Sequence, residues 1–214
     1  MTTFDVSTLP PRTTWVFTGD SITHGVHHTH GARSWVEHLH ERIRCELGRL
    51  EDIVVNSGVS GWTTGDVLPA FDHLIGRFSP AVVSISLGTN DALAGEQGLT
   101  GFTGRLAGLV QRAQGLGATT VLHTPVLVLP DAPAARHDWL PTYGEEVRRI
   151  ATASGALLVD HEQVWRAHFG GEAATPWMDD HTHPNAEGHL QMAQTTLSAL
   201  GMGSMGERAP VPGS

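Results

Sequence analysis

Three polar residues near opposite ends of the chain have the side-chain types that ester hydrolysis by a serine requires. Ser21 follows the apolar run TWVF at 14–17. Asp180 and His183 are three residues apart in WMDDHTHP at 177–184, and a loop that enters a helix can place such a carboxylate beside one imidazole nitrogen. A nucleophilic serine needs a base, and that base needs a third group to orient it. The three residues are therefore candidates for a catalytic triad.

Two other interpretations of Ser21 rest on the same stretch of sequence. A serine or an aspartate just after a strand can cap the next helical turn by accepting hydrogen bonds from free N–H groups. The turn TGDSITHG at 18–25 also resembles the loop with which flavodoxin-like proteins hold a flavin phosphate. Asp20 argues against a phosphate, because its carboxylate would repel the anion. Taken alone, the stretch leaves a helix cap, a phosphate loop and a nucleophile open.

Acyl transfer to a serine also needs hydrogen-bond donors for the oxyanion that develops on the attacked carbonyl. Gly61 ends the stretch NSGVSG at 56–61 and can bring its backbone N–H close to a substrate because it has no side chain. Asn90 lies in GTND at 88–91 and carries an amide donor. These two residues complete the set of groups that the reaction requires.

The elements that must position these residues follow the alternation of an α/β fold. Short runs rich in valine, isoleucine and leucine alternate with longer segments of helical periodicity. The predicted strands are 14–18, 52–56, 81–87, 119–124 and 156–159, and the predicted helices are 35–47, 64–77, 99–116, 140–153 and 185–200. Continuous apolar runs indicate strands buried on both faces. We expect a three-layer α/β/α sandwich with a five-stranded parallel sheet, whose polar loops meet at the carboxyl ends of the strands.

Four motifs in sequence order resemble those of the SGNH hydrolases, the GDSL esterase and lipase family. They are GDSIT at 19–23, NSGVSG at 56–61, GTND at 88–91 and DDHTHPN at 179–185. The resemblance covers about 14–200 and implies the flavodoxin-like SGNH hydrolase fold. It differs from the α/β-hydrolase pattern G-x-S-x-G, because position 23 is threonine.

The resemblance implies a role for each residue of the site. Ser21 would be the nucleophile, His183 the general base and then the general acid, and Asp180 the group that orients His183. The oxyanion donors would be the backbone N–H groups of Ser21 and Gly61 and the side chain of Asn90. No metal and no organic cofactor are expected.

Aromatic and histidine residues near these motifs are candidates for substrate contacts. In this family Asp or Asn often follows the second motif, whereas here Trp62 follows it, as an aromatic wall beside the substrate or as a packing residue. Trp177 precedes the last motif. The loop HGVHHTHG at 24–31 either borders the pocket or is exposed to solvent. Its candidate contacts are His27, His28 and His30.

Other titratable residues have structural interpretations. We expect Asp20 to support the nucleophile turn and Asp91 to anchor the loop that aims Asn90. The clustered histidines and the H-x-H at 181–183 are of the type that binds zinc, but no spacing of carboxylates or cysteines completes a site. The single cysteine, Cys45, is predicted to be a buried structural thiol.

Composition limits the class of protein. At 214 residues we expect one hydrolase domain at 14–200, an N-terminal extension at 1–13 and a disordered tail at 201–214. The net charge of -9 and the absence of a basic stretch argue against a nucleic-acid partner. Neither a targeting segment nor a long apolar window is present, so we expect no membrane insertion and a cytoplasmic location. All 13 basic residues are arginine, which suggests a GC-rich bacterium.

These observations together predict a serine esterase that acts on a small-molecule ester. We expect it to remove short, acetyl-like groups from a carbohydrate or another polar molecule. A lysophospholipase, a thioesterase or an acyltransferase of the same family is the alternative within enzymes. A non-catalytic flavodoxin-like module that binds flavin is the alternative of another class. The sequence gives no indication of the oligomeric state.

Overall fold

The strands form one parallel sheet. The computed structural model describes residues 4–206, and its strands are β1 (Thr14–Gly19), β2 (Ile53–Asn56), β3 (Val82–Ser86), β4 (Thr119–His123) and β5 (Leu157–Val159). Their order is β2-β1-β3-β4-β5, and every neighbouring pair is parallel. The chain reverses its direction of travel across the sheet between β1 and β3, the point where ligands bind in sheets of this type. The predicted five-stranded parallel sheet is confirmed.

Helices connect these strands. They are α1 (Ser21–His24), α2 (Trp35–Glu41), α3 (Thr64–Val67), α4 (Phe71–Leu74), α5 (Gly95–Gly115), α6 (Ala134–Ser154), α7 (His161–Phe169) and α8 (Ala186–Ala199). Short 3₁₀ turns lie at Val6–Thr8, Gly76–Phe78, Asp91–Ala94 and Thr175–Trp177, and a π-helical turn at Arg42–Glu46 extends α2. Within residues 4–206, no helix is both long and apolar enough to span a bilayer.

The helices differ from the sequence prediction in three places. The helix predicted at 64–77 is divided into α3, α4 and a 3₁₀ turn. Helix α6 begins at Ala134 and contains Pro141 within it, so it takes in residues that were predicted to be a loop. Helix α7 was not predicted. It is amphipathic but short, with Trp165 as its largest buried side chain and the Asp160 carboxylate as its cap.

Side chains of the sheet alternate between two apolar layers, because successive strand residues point to opposite faces. Val16 of β1 packs in one layer with residues of α3, α4, α5 and α6. Its neighbours Trp15 and Phe17 pack in the other layer with residues of α2, α7 and α8. The molecule is therefore a three-layer sandwich, as predicted, and both faces of the sheet are covered.

The segments outside the predicted hydrolase domain also contact this core. Of the predicted N-terminal extension, Phe4 packs edge-on against Trp15 at 6.1 Å between ring centroids. Of the predicted tail, Met202 is buried and its carbonyl accepts two hydrogen bonds from the guanidinium of Arg42, at 3.0 and 2.6 Å. The prediction of disorder is therefore wrong for Met202. Residues 1–3 and the part of the predicted tail at 207–214 lie outside the described residues.

The prediction of a buried thiol is wrong, since Cys45 is exposed. The buried stripe of α2 and its π-helical extension passes through Leu39 and Ile43. Cys45 lies two residues beyond Ile43, and consecutive turns of a helix place that position off the stripe.

Candidate active site

The predicted nucleophile lies where β1 passes into α1. Asp20 is the N-cap of α1, and its carboxylate accepts a hydrogen bond from Ile22 N–H at 3.0 Å. Because Asp20 fills the cap position, the hydroxyl of Ser21 at the first helical position is free to contact another side chain. Gly19 is required before this turn, since a Cβ atom there would collide with the carbonyl oxygen of Ser86.

A chain of hydrogen bonds joins Ser21 to His183 and Asp180. Ser21 Oγ lies 2.9 Å from His183 Nε2. His183 Nδ1 lies 3.0 and 2.9 Å from Oδ1 and Oδ2 of Asp180. Asp180 Oδ1 also accepts hydrogen bonds from the backbone N–H groups of Thr182 and His183, each at 2.7 Å. The structure thus brings together the three residues predicted as a triad, and the turn that precedes α8 holds the carboxylate in place.

The protonation states of these three residues favour transfer of a proton from Ser21 to His183. Burial acts to raise the pKa of Asp180, but hydrogen bonds from Thr182 and His183 outweigh it and lower that pKa to about 2. Burial lowers the pKa of His183, while the Asp180 carboxylate opposes this change. At pH 7 His183 is therefore neutral, with its Nδ1 proton facing an ionised Asp180 and its unprotonated Nε2 facing Ser21. Such an imidazole can act as a general base.

Two backbone donors of the predicted oxyanion hole are available to a substrate. Within residues 4–206, neither Ser21 N–H nor Gly61 N–H donates to a protein acceptor. Gly61 is exposed and has a φ of 80°, a left-handed conformation that glycine adopts without a steric penalty. Its loop is fixed to the nucleophile strand by a hydrogen bond of 2.9 Å from Val59 N–H to the Gly19 carbonyl. Free donors of this kind stabilise an oxyanion.

The side chain of Asn90 is held at both of its polar atoms. Its Nδ2 donates to the carbonyl of Trp62 at 3.1 Å, which links the loop after β3 to the residue that follows Gly61. Its Oδ1 accepts from Arg136 Nη2 at 3.1 Å. An amide nitrogen carries two donors, so one N–H of Asn90 remains for a substrate oxygen.

Arg136 connects two of the active-site loops. Its guanidinium is buried and donates to Thr89 O at 2.9 Å, to Thr182 Oγ1 at 2.7 Å and to Asn90 Oδ1 at 3.1 Å. Burial lowers the pKa of Arg136, and the negative charges of Asp20 and Asp180 act against this. Sequence reasoning missed this residue, because it lies in α6, outside the four motifs and in a stretch predicted to be a loop.

The carboxylates of the first and third motifs, Asp20 and Asp91, make structural contacts. Asp91 Oδ1 accepts a hydrogen bond at 3.1 Å from the backbone N–H of Thr64, which fixes the loop after β3 to the first residue of α3. Burial raises the pKa of Asp91 and also raises that of Asp20, which reaches about 7. Asp20 contacts the α1 backbone, whereas the Ser21 hydroxyl faces the imidazole.

The predicted substrate contacts in the histidine-rich loop have different surroundings. The ring of His28 lies parallel to that of His183, with 3.7 Å between centroids and 4° between planes. His30 is exposed, and its Nε2 lies 2.7 Å from Asp179 Oδ1. His27 is exposed and meets His28 edge-on at 4.9 Å. The loop therefore lies against the triad, but His28 and His30, two of the three predicted substrate contacts, are already hydrogen-bonded to Asp179.

The two tryptophans proposed as substrate contacts are placed differently. Trp62 is half-buried and packs against the core layer that contains Val16. Trp177 is 7% exposed and lies in the opposite core layer, where it stacks on His168 at 4.3 Å and meets Trp165 edge-on at 5.0 Å. The prediction for Trp177 is therefore corrected to a packing role, because aromatic neighbours from α7 surround its ring.

Three side chains lie close enough together to hold a metal ion. Among the described residues, His28, Asp180 and His183 offer such atoms within 4.8 Å of one another. In the structure both His183 nitrogens and both Asp180 oxygens already take part in hydrogen bonds of the triad. A metal ion would compete with these hydrogen bonds, so the arrangement fits a hydrogen-bonded triad better than a metal centre.

The proline-rich segment after β4 lines a cavity away from the triad. This cavity of about 190 Å³ lies between Pro125–Val128, α6 and α7, and its lining includes none of Ser21, Asp180 and His183. The segment was predicted to be a lid or a pocket wall. The wall that it forms belongs to this separate cavity.

Comparison with known protein families gives one family for most of the chain. The family described as GDSL-like lipase/acylhydrolase matches residues 17–190. An arylesterase from Vibrio mimicus is 28% identical over 187 residues, which cover 85% of this chain and 85% of that protein. An acetylxylan esterase from Geobacillus stearothermophilus is 27% identical over 159 residues, which cover 69% of this chain and 72% of that protein.

A further match covers less than half of the chain. A 91-residue stretch of an uncharacterized protein from Mycoplasma pneumoniae is 35% identical to 42% of this chain, and it makes up 10% of that protein.

Solved structures share the fold. A catalytic mutant of an acetylxylan esterase from Geobacillus stearothermophilus superposes with a TM-score of 0.79 at 22% identity, covering 90% of this chain and 96% of that one. An α/β hydrolase enzyme from the metagenome of Lake Arreo in Spain superposes with a TM-score of 0.78 at 24% identity, covering 91% and 97%. At these identities the likeness concerns the fold.

Proposed function

The chain belongs to the GDSL-like lipase/acylhydrolase family of esterases, and from that premise we propose that Ser21, His183 and Asp180 hydrolyse an ester through an acyl-serine intermediate. The observation that carries this proposal is the continuous chain of hydrogen bonds from Ser21 Oγ through His183 to Asp180. A serine alone is a weak nucleophile, and a base within hydrogen-bond reach, itself oriented by a carboxylate, is what activates it.

In the first half of the proposed reaction, Ser21 Oγ attacks the ester carbonyl while His183 Nε2 takes the hydroxyl proton. The carbonyl oxygen becomes an oxyanion that accepts hydrogen bonds from the N–H groups of Ser21 and Gly61 and from the Asn90 amide. The imidazolium formed on His183 is stabilised by the Asp180 carboxylate. His183 then gives its proton to the leaving alcohol, and the bond between the carbonyl carbon and the alcohol oxygen breaks.

In the second half, water replaces the alcohol. His183 Nε2 takes a proton from the water, the resulting hydroxide attacks the acyl carbonyl, and the same donors hold the second oxyanion. The proton returns to Ser21 Oγ as the acyl group leaves as a carboxylic acid. An acyltransferase would run the same step with another alcohol in place of water, and this remains the nearest alternative within the family.

The proposed substrate is a short, acetyl-like ester on a carbohydrate or another polar molecule. Two features support it. One relative is an acetylxylan esterase. Polar side chains also border the triad, where Asp179 and His30 are partly or fully exposed and His24 pairs with Ser60 at 3.0 Å. A lysophospholipase or a thioesterase would act on a longer acyl chain. The flavin-binding alternative is set aside, because the chain belongs to a family of esterases.

Ester hydrolysis with p-nitrophenyl acetate and p-nitrophenyl octanoate tests both parts of the proposal. Ser21→Ala and His183→Ala should each lower kcat by at least about 10³-fold, because the members of such a triad act as a unit. Ser198→Ala, which removes an exposed hydroxyl from α8, is the matched control and should keep full activity. Full activity in either triad variant would refute the mechanism.

The same assay tests which acyl chain length the enzyme prefers and whether its activity depends on a metal ion. A kcat/KM that is higher for the acetate than for the octanoate supports the acetyl-like substrate, and the reverse order favours the lysophospholipase alternative. A chelator should leave activity unchanged. Loss of activity with a chelator, restored by zinc, would instead support a metal at His28, Asp180 and His183.

A further inference from the structure

One face of the proposed general base is covered by a second imidazole. The rings of His28 and His183 are parallel to within 4° and their centroids are 3.7 Å apart, which is van der Waals contact over the whole ring. The two residues come from distant parts of the chain, His28 from the loop between α1 and α2 and His183 from the turn before α8. His28 is half-buried, with 21% of its side chain exposed.

A single carboxylate fixes His28 in this position. Asp179 Oδ2 lies 2.8 Å from His28 Nδ1, and Asp179 Oδ1 lies 2.7 Å from His30 Nε2. Hydrogen bonds from His30 and His28 lower the pKa of Asp179, so the carboxylate is ionised. The backbone N–H of Asp179 donates to the carbonyl of His183 at 2.8 Å. The residue that holds His28 is thus bonded to the residue that His28 covers.

The backbone of the histidine-rich loop adopts an unfavourable conformation at the same place. His30 has a φ of 48°, in the left-handed region that residues other than glycine rarely enter, and Gly31 follows with a φ of 88°. This conformation costs free energy, and it persists where surrounding contacts compensate for it. The contact of His30 with Asp179 is one that compensates.

We propose that His28 is a positioning residue for His183, which it holds by ring stacking in the plane that joins Asp180 to Ser21. The inference rests on the proposed function of the triad. His183 must present Nε2 first to the serine and then to the leaving alcohol while Nδ1 stays on Asp180. Rotation of the ring out of this plane breaks one of the two hydrogen bonds, and small misplacements of a reacting group reduce rate strongly.

The charge on His28 also acts on His183. A neutral imidazole offers its face to the imidazolium that forms on His183 during the reaction, a favourable contact between a cation and an aromatic ring. A protonated His28 is a positive neighbour that lowers the pKa of His183. The other charged groups that face His183 are Asp180 and Arg136. His28 itself faces Asp179, Asp180 and His27, and its charge also reaches His189 of α8.

Three variants separate stacking from charge. His28→Ala removes the ring, and His28→Phe keeps a flat face without the charge or the Asp179 hydrogen bond. His73→Ala is the control, since His73 is an exposed histidine of α4 that contacts Arg77. The readouts are kcat and KM for p-nitrophenyl acetate from pH 5 to pH 9, together with the melting temperature of each variant.

We expect His28→Ala to lower kcat by about tenfold with KM changed less than twofold, as for a group that acts on the base rather than on the substrate. His28→Phe should recover most of kcat. Its acid limb of kcat/KM should lie at higher pH than in the unsubstituted protein, because phenylalanine removes the electrostatic effect by which His28 lowers the pKa of His183. His73→Ala should match the unsubstituted protein.

Three outcomes overturn the inference. One is a His28→Ala variant with unchanged kcat and an unchanged pH profile. A second is a rise in KM without a fall in kcat, which would make His28 a substrate contact. A third is a His28→Phe variant that is as impaired as His28→Ala and has an unshifted acid limb. These results are distinct from failure of the triad proposal, which would appear as activity in Ser21→Ala.

Discussion

Arg136 should contribute to the rate through Asn90, and a double-mutant cycle tests this. The changes are Arg136→Lys, Asn90→Ala and the two together. Arginine presents a planar fork that reaches Thr89, Thr182 and Asn90 at once, whereas an ammonium is a single point that cannot hold the same three positions. Arg136→Lys therefore releases the Asn90 amide from one of its two fixed contacts while a positive charge is retained.

The size of the effect follows from the bonds involved. Removal of an oxyanion donor lowers kcat by about 10² to 10³-fold, which we expect for Asn90→Ala. A hydrogen bond to a charged donor contributes about 1.5 to 3 kcal/mol, and loss of the bond of 3.1 Å from Arg136 Nη2 should cost up to that amount in orientation of the amide. We therefore expect Arg136→Lys to lower kcat by about 10 to 100-fold, at about 1.4 kcal/mol per factor of ten.

The assay is steady-state hydrolysis of p-nitrophenyl acetate by the four proteins. Arg149→Lys, an exposed arginine of the same helix, is the control for the chemical change. If Arg136 acts through Asn90, Arg136→Lys should reduce kcat much less in the Asn90→Ala background than in the unsubstituted protein. Equal reductions in both backgrounds would refute the reasoning. A fall in melting temperature that accompanies unchanged kcat would show a role in stability alone.

Two further predictions concern stability and pH. Burial lowers the pKa of His161 to about 3 and also lowers that of His123, so unfolding binds protons and the free energy of unfolding should fall between pH 6.5 and pH 3. His161→Gln should flatten this dependence by at most about 5 kcal/mol in urea titrations; an unchanged slope would contradict the assignment. Burial raises the pKa of Asp20 to about 7, so its ionisation destabilises the fold as pH rises from 3.8 through 7. Asp20→Asn keeps a capping acceptor and should stabilise the protein at pH 9, by up to about 4 kcal/mol, but hardly at pH 3, where the carboxyl is protonated in both the folded and the unfolded state. The same gain at both pH values would argue against this charge effect.

The residues of the proposed triad could be predicted from sequence because their relations are mostly local. Asp180 and His183 are joined within one turn, and Ser21 comes two residues after the end of a strand whose apolar pattern is clear. The strands were predicted for the same reason, since each is a short continuous apolar run. The carboxyl ends of neighbouring parallel strands meet at one edge, so β1 and β3 bring Ser21 and Asn90 to the same side of the sheet.

Residues that act through distant contacts could not be predicted. Arg136 is 46 positions from both Asn90 and Thr182, and it lies in a proline-rich stretch that was predicted to be a loop. The contact between His28 and Asp179 spans 151 positions. Trp177 was misassigned because an aromatic residue beside a motif gives no sign of which way its ring points. Only the packing of α7 against the turn before α8 decides that.

The separation between Ser21 and His183 has a consequence for how the enzyme gains activity. The two side chains are 162 positions apart, so the nucleophile is synthesised well before its base. No partly synthesised chain that lacks the turn before α8 contains both. A refolding molecule likewise gains its base only when that turn docks beside β1. Regain of esterase activity should therefore trail regain of helical signal, and activity measures the population in which these two distant segments have met.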